Sequence, residues 1–504
     1  MATLRRLPLL AAAAALLAGC TTLGPDYERP VVELPAAYGR AAPAVGPQHP
    51  DARPLAPEAP QPAPTGPAEL VDTTWWAAFG DPQLDALIVI ALEENKALRL
   101  AAHRVEQLDA ALQVSRAARM PQVGYQAGAS RDALSQNRMV PLAPGVDPVG
   151  NNLQIGVAAS WELDLWGRVS RANEEALANL MAAQENRRAL VTSIVGEVAA
   201  AYVQLLTVDR DIELLEAVIA SRRESVRLLE RKFAGGRISE LPLAAARIEL
   251  ANLLTGLPAK RREAATLEHV LSVLVGRHAG PVARGRTLDT LALPAIPAGV
   301  PAQVLAQRPD VRASEQALVA ANARIGVARA QYLPAVTLTG RYGFASADLG
   351  RLLSLSSNVS SFGAALLGPI FDAGRIDGMV REAEAGQRAA ATDYLRTVQT
   401  ALREVEDALV WHARMAEQAQ ARAAHVQALA DQAALVRRRV DGGVAELIEA
   451  LGAERLVLEG QIAQGQTRRD QALALVAVYK ALGGSWGVAD HMPADLRVGA
   501  KNHD

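Results

Sequence analysis

Residues 153–165 read LQIGVAASWELDL. The odd positions are Leu153, Ile155, Val157, Ala159, Trp161, Leu163 and Leu165; the even ones are Gln154, Gly156, Ala158, Ser160, Glu162 and Asp164. Successive side chains of a β-strand point to opposite faces, so a period of two describes a strand with one greasy face and one polar or small face. The same alternation recurs at Val123, Tyr125, Ala127 and Ala129, at Val336, Leu338, Tyr342 and Phe344, and at Phe362, Ala364, Leu366 and Ile370. Each run covers about ten residues, the span of a tilted strand crossing a bilayer. A half-buried soluble sheet would show the same alternation, so the pattern alone leaves both open. Four strands cannot close a membrane barrel, because such barrels begin at about eight. An open edge is not viable in lipid, where unpaired N–H and C=O groups find no water. Strands of this kind in a membrane therefore require several chains to pool them, and three chains would supply twelve.

The rest of the chain is one unit written twice. WGRVSRANEEA (166–176) parallels AGRIDGMVREA (373–383), and FAGGRISEL (233–241) parallels VDGGVAELI (440–448), both pairs 207 positions apart, as are Gly276 and Gly483. RAARMPQV (116–123) parallels RAQYLPAV (329–336) at 213, which places six extra residues in the first copy. Each copy is expected to run helix, strand pair, long helix, turn, helix.

After Gly167 and Gly374 the period changes. Leu205, Val208, Ile212, Leu215, Ile219, Val226, Leu229 and Phe233 are three or four apart with only Arg222 interrupting, and Val426, Leu429, Val436 and Val440 echo them. That is the seam of a coiled coil. Residues 168–233 contain no proline, and at 1.5 Å per residue such a helix runs about 100 Å, against about 12 residues for an average helix. Each rod is expected to stop at a Gly-Gly pair, Gly235-Gly236 and Gly442-Gly443, behind basic residues suited to a helix C-terminus (Arg231, Lys232; Arg437, Arg438, Arg439). A helix resuming within a few residues predicts an antiparallel hairpin.

The N-terminus carries Arg5 and Arg6, an apolar stretch over 7–17 and the only cysteine, Cys20, behind small residues. This is the layout of a signal peptide. A lone cysteine in an exported protein invites modification, and acyl chains contribute about 0.8 kcal/mol per buried CH₂. Prolines recurring from 29 to 67 suit an extended tether. It ends at TTWWAAFGDP (73–82), where aromatic residues and a capping aspartate introduce the first helix. No later window reaches the roughly 18 uncharged apolar residues of a spanning helix. Net charge is −2, with both signs mixed along the chain, so nothing suggests a nucleic-acid partner.

The Leu17-Ala18-Gly19-Cys20 lipobox with its GPDYERP continuation, the opening TTWWAAFGDPQLDALIVIALEENKALRLAAHRV (73–105), the junctions ELDLWGR and PIFDAGR, and the closing YKALGGSW (479–486) resemble the TolC-like outer-membrane factors, in particular the NodT-type lipoprotein branch of multidrug efflux systems. The resemblance covers nearly everything from 20 to 486. It implies an α+β membrane protein: a homotrimer sharing a twelve-stranded transmembrane β-barrel, four strands per protomer, above a long coiled-coil helical barrel in the periplasm. It further implies lipid on Cys20, a periplasmic adaptor protein and an inner-membrane RND pump as partners, and small toxic solutes as cargo. In that family acidic residues past the second-copy turn ring the periplasmic aperture, which here selects Glu446 and Glu449; three chains would place six carboxylates around one axis, attracting cations. The turns Gly235-Gly236 and Gly442-Gly443 would contact the adaptor. Two solvated glutamates at a helix start are equally natural, and copy one has Ser239 and Pro242 at these places.

Catalysis finds no footing. Residues 483–487 match G-x-S-x-G, but a helix rather than a strand precedes them. The eight histidines are scattered without an H-E-x-x-H, no phosphate-binding loop occurs, and neither cofactor nor metal is expected. The chain is read as 1–19 signal peptide, 20–70 lipidated N-terminus and tether, 71–284 first repeat, 285–487 second repeat and 488–504 tail. The function expected is a passive outer-membrane conduit extending into the periplasm and driven by a pump. The alternative from another class is a periplasmic coiled-coil scaffold without a pore, and similar ducts serve type I secretion.

Overall fold

The computed structural model describes residues 22–31, 75–135, 139, 147–294 and 307–484. The signal segment, Cys20, residues 32–74 and the tail from 485 lie outside the described residues. The elements are α1 (Pro82–Glu94), α2 (Lys96–Ala117), β1 (Gln122–Ala133), β2 (Val149–Leu163), α3 (Arg168–Ala234), α4 (Glu240–Leu274), α5 (Pro309–Ala330), β3 (Ala335–Ser346), β4 (Asn358–Leu367), α6 (Arg375–Asp441) and α7 (Leu447–Ala481). The duplication reaches element length: α3 and α6 both have 67 residues, α4 and α7 both 35, β1 and β3 both 12. By contacts the chain forms two compact units, one of 1–31, 105–183 and 313–394, the other of 32–104, 184–312 and 395–504. Each unit draws on both copies.

The first unit holds a single antiparallel sheet in the order β1-β2-β3-β4. Its register puts the alternating side chains in cross-strand rows: Tyr125, Val157, Tyr342 and Ser360; Trp161, Leu338 and Ala364; Leu163, Val336 and Leu366. Ile370, expected to continue the β4 stripe, falls beyond that strand. Gly368 and Pro369 intervene, and proline has no N–H for the ladder.

The second unit holds the largest apolar core among the described residues. Trp75, Trp76 and Phe79 are buried, and Trp75 stacks on Tyr479 of α7 with ring centroids 5.0 Å apart. Asp81, the expected cap, is fully buried; its side chain accepts from Gln83 N and Leu84 N of α1, from the Tyr202 hydroxyl at 2.8 Å and from Arg286 N at 2.9 Å. One carboxylate thereby satisfies a helix start, a buried phenol and a loop. Eighteen residues within α3 are apolar enough to span a bilayer by composition, but 56% of that window is buried inside the protein. Ile194, Val198, Tyr202 and Leu205 there belong to the core.

Along α3 the seam is buried at Leu205, Val208, Leu215, Ile219, Val226 and Leu229, and ends at the exposed Phe233. The ion pairs Arg261–Glu216 at 2.7 Å and Arg247–Glu230 at 2.8 Å ladder α4 back along α3, the antiparallel hairpin expected. On α6 the corresponding Val426, Leu429, Val436 and Val440 are only half-buried.

Candidate functional site

Three features of this fold could serve a conduit: the sheet, the hairpin ends and the N-terminal segment. On the sheet's greasy face Val123, Tyr125, Tyr342, Phe362 and Leu366 are exposed, Tyr125 by 91%. The opposite face carries a charge that alternation did not flag as functional, Arg341, whose Nη2 donates to Gln154 Oε1 at 2.6 Å. Its signal was its parity, since it sits between Gly340 and Tyr342 on the polar side of β3. Among the described residues β1 and β4 each have one unpaired edge.

Both hairpin turns close the same way. Gly236 and Gly443 have φ of +68° and +72°, and the bonds Arg237 N to Lys232 O (2.9 Å), Gly236 N to Phe233 O (2.9 Å), Val444 N to Arg439 O (2.8 Å) and Gly443 N to Val440 O (3.0 Å) form a Schellman motif at each helix end. Only glycine takes that conformation without strain. Glu446 is the N-cap of α7. The Glu449 Oε1 accepts from Glu446 N at 3.1 Å, the reciprocal half of a capping box, while Glu449 N donates to the Glu446 carbonyl. Both carboxylates are exposed.

Near the tips, Val226, Leu229, Leu243, Ala246 and Leu451 form a small apolar cluster joining the first hairpin to α7. Beside it lies Arg222, the interruption in the seam. Its side chain is 3% exposed and its Nη1 is 3.1 Å from Glu454 Oε2 on α7. The approach is charge to charge without hydrogen-bond geometry, for Nε and Nη1 have no hydrogen-bond partner. Arg437 of α6 lies 3.5 Å from the other oxygen of Glu454, so one carboxylate links three helices. Further along α3, Asp211 is buried, and its carboxyl pKa is raised by that burial although Lys260, 3.0 Å away, opposes the shift.

Residues 22–31 form a strap across both copies, which the sequence did not reveal. Leu23 N donates to Trp166 O, Arg171 donates to Leu23 O and to Asp26 (2.7 Å), and Asn322 donates to Pro25 O. Arg29, where the tether was expected to begin, is instead held by both oxygens of Glu315 at 2.6 and 2.7 Å, and Tyr27 donates to Glu315 at 3.1 Å. Burial, with Glu315 adding to it, pushes the Tyr27 phenol up to about 12. The strap crosses α5 so closely that a Cβ on Gly24 would stand 2.6 Å from the Gly326 Cα.

The described residues contain no group of three or more potential metal ligands.

Comparison with known proteins gives a family. The sequence model described as "Outer membrane efflux protein" matches residues 87–277 and 300–484. The chain is 32% identical over 480 residues to the toluene efflux pump outer membrane protein TtgI of Pseudomonas putida, covering 94% of this chain and 97% of that one. It is 30% identical over 493 residues to the cation efflux system protein CusC of Escherichia coli, covering 96% and 100%. Among solved structures, the open state of the Neisseria gonorrhoeae MtrE outer membrane channel superposes with a TM-score of 0.78 at 29% identity, over 93% of this chain and 99% of that one.

Proposed function

The chain belongs to the outer membrane efflux protein family, and from that premise we propose how its geometry makes a duct. It is the outer-membrane channel of a tripartite efflux system. Three copies pool their strands, β1 of one pairing with β4 of the next, so that the open edges vanish and a twelve-stranded barrel forms. The row of apolar side chains faces lipid; Arg341 and Gln154 face the lumen. The half-buried stripe of α6 is covered by a neighbouring copy, continuing the helical wall into the periplasm. Cys20, two residues before Thr22, carries the lipid anchor. An adaptor protein meets the Gly-Gly turns, an inner-membrane pump supplies the energy, and Glu446 and Glu449 ring the periplasmic opening.

The observation that carries this reading is the four-stranded sheet with one greasy, exposed face in register and two unpaired edges. A pore-less scaffold has no use for such a surface, because apolar area exposed to water is a liability. Substrate choice belongs to the pump. Relatives at nearly equal identity are named for toluene and for cations, so a shared duct serves different cargo, and this one exports small toxic solutes. Purified protein in a planar bilayer tests the duct: discrete conductance steps are expected, and a stable fold with no conductance would favour the scaffold.

A further inference from the structure

The last turn of α2 and the first turns of α3 enclose a cleft of about 480 Å³ lined by Thr22, Leu112, Arg116, Arg119, Arg171 and Glu174. Three guanidinium groups border it. Arg171 is committed, 2.7 Å from Asp26 and 2.8 Å from Glu174. Arg116 and Arg119 are exposed and have no hydrogen-bond or ion-pair partner for their side chains among the described residues. Two unpaired positive charges thus face a cleft floored by Leu112 and Leu177.

Its position matters. Arg119 lies three residues before β1, and the Trp161 indole N–H donates to the Arg119 carbonyl at 2.9 Å. Tryptophan concentrates where a bilayer meets water, and the exposed Val123 and Tyr125 follow immediately on β1. In the barrel proposed above, the cleft falls at headgroup level, next to the end of the greasy sheet.

The second copy provides an internal comparison. There Arg329 stands for Arg116 but is bonded to Glu384 at 2.8 Å. Tyr332 replaces Arg119, and the position of Glu384 is taken in the first copy by Leu177. The first copy therefore lacks the acid that pairs with the arginine in the second, has a second arginine and lines the cleft with an apolar side chain.

We propose that this cleft binds the phosphate diester of a membrane phospholipid, Arg116 and Arg119 taking the phosphate oxygens and Leu177 the first methylenes. The assignment rests on the outer-membrane reading above for the origin of the lipid. Guanidinium groups recognise phosphate in paired, charge-assisted bonds.

The test is native mass spectrometry of the detergent-purified full chain titrated with phosphatidylglycerol, with diacylglycerol and with inorganic phosphate. Wild type is expected to retain phosphatidylglycerol in preference to the other two. Arg116→Gln with Arg119→Gln should weaken it about 25-fold, each basic group being worth about fivefold at a membrane surface. Leu177→Glu, which restores the acid of the second copy, should also weaken it, whereas Arg329→Gln should leave it unchanged. Equal retention by wild type and both cleft variants overturns the proposal, as does diacylglycerol binding as tightly as phosphatidylglycerol. Inorganic phosphate binding as tightly as the lipid overturns the lipid as source. Conductance of the same preparations is expected to be unaltered; a wild type that binds the lipid in micelles yet never conducts would sink the channel and leave the cleft standing.

Discussion

Replacing Glu454 by glutamine should loosen the hairpin ends far more than replacing Arg222 by methionine. Arg222 is nearly inaccessible, 3% exposed, and Glu454, 38% exposed, is the carboxylate that approaches it at 3.1 Å. Breaking a fully buried pair by removing one partner costs about 3–5 kcal/mol, because a charge is left without compensation. Glu454 is over a third exposed and shared with Arg437, so solvent offsets part of the loss, and about 2 kcal/mol is expected. Methionine at 222 completes an apolar seam of Leu215, Ile219, Val226 and Leu229, and exchanging a buried ion for a hydrophobe is often neutral or stabilising. The assay is limited trypsin digestion at Arg231-Lys232 and Arg437-Arg438-Arg439, which flank the two turns. Cleavage through local opening follows the open population, so about 2 kcal/mol means about a thirtyfold faster cut at RT near 0.59 kcal/mol. Arg222→Met should change the rate by less than about threefold. If Arg222→Met cleaves as fast as Glu454→Gln, the pair is a net source of stability and the reasoning fails.

A glutamine at 449 still accepts from the backbone N–H of 446, so the double Gln variant should fold unchanged yet weaken cation selectivity; an unaltered reversal potential would remove both from the aperture. Gly443 has φ +72°, so Gly443→Ala should cost about 1 kcal/mol locally and raise trypsin cleavage at Arg439 about fivefold. Gly442 lies outside that conformation and an added Cβ meets nothing closer than 3.4 Å; Gly442→Leu should keep the fold while raising drug susceptibility in cells, and wild-type resistance would separate this turn from the adaptor. The Tyr27 phenol lies above its ordinary value of 10 in the folded chain, at about 12. Its contribution to strap binding is therefore full below pH 10 and is lost as pH rises through 12. Phenolate absorbance of wild type minus Tyr27→Phe should show one group titrating near 12, and a group titrating near 10 would mean the strap is not held this way.

Much of this protein was legible because its elements are governed by short-range periodicity. A period of two over 153–165, glycines at 167, 236 and 276 repeated 207 residues on, and a seam broken only at Arg222 each depend on residues within a few turns of one another. The strap was not legible: Arg29 and Glu315 are 286 positions apart, and nothing local in GPDYERP says which helix receives it. The same holds for Arg222, which in sequence is a blemish and in space a partner for Glu454, and for Arg116 and Arg119, whose side chains meet no partner among the described residues while Arg329 of the second copy meets Glu384. Glu446 and Glu449 illustrate the boundary. Their three-residue spacing is written in the chain, but their capping of α7 is a matter of geometry. Two copies, one-faced strands, long rods and their stops are readable from the order of residues, because backbone and hydrophobic preferences act along the chain. Which charges are paired and which are left over emerges only in three dimensions, because a charge is satisfied by whatever folding brings within a few ångströms of it.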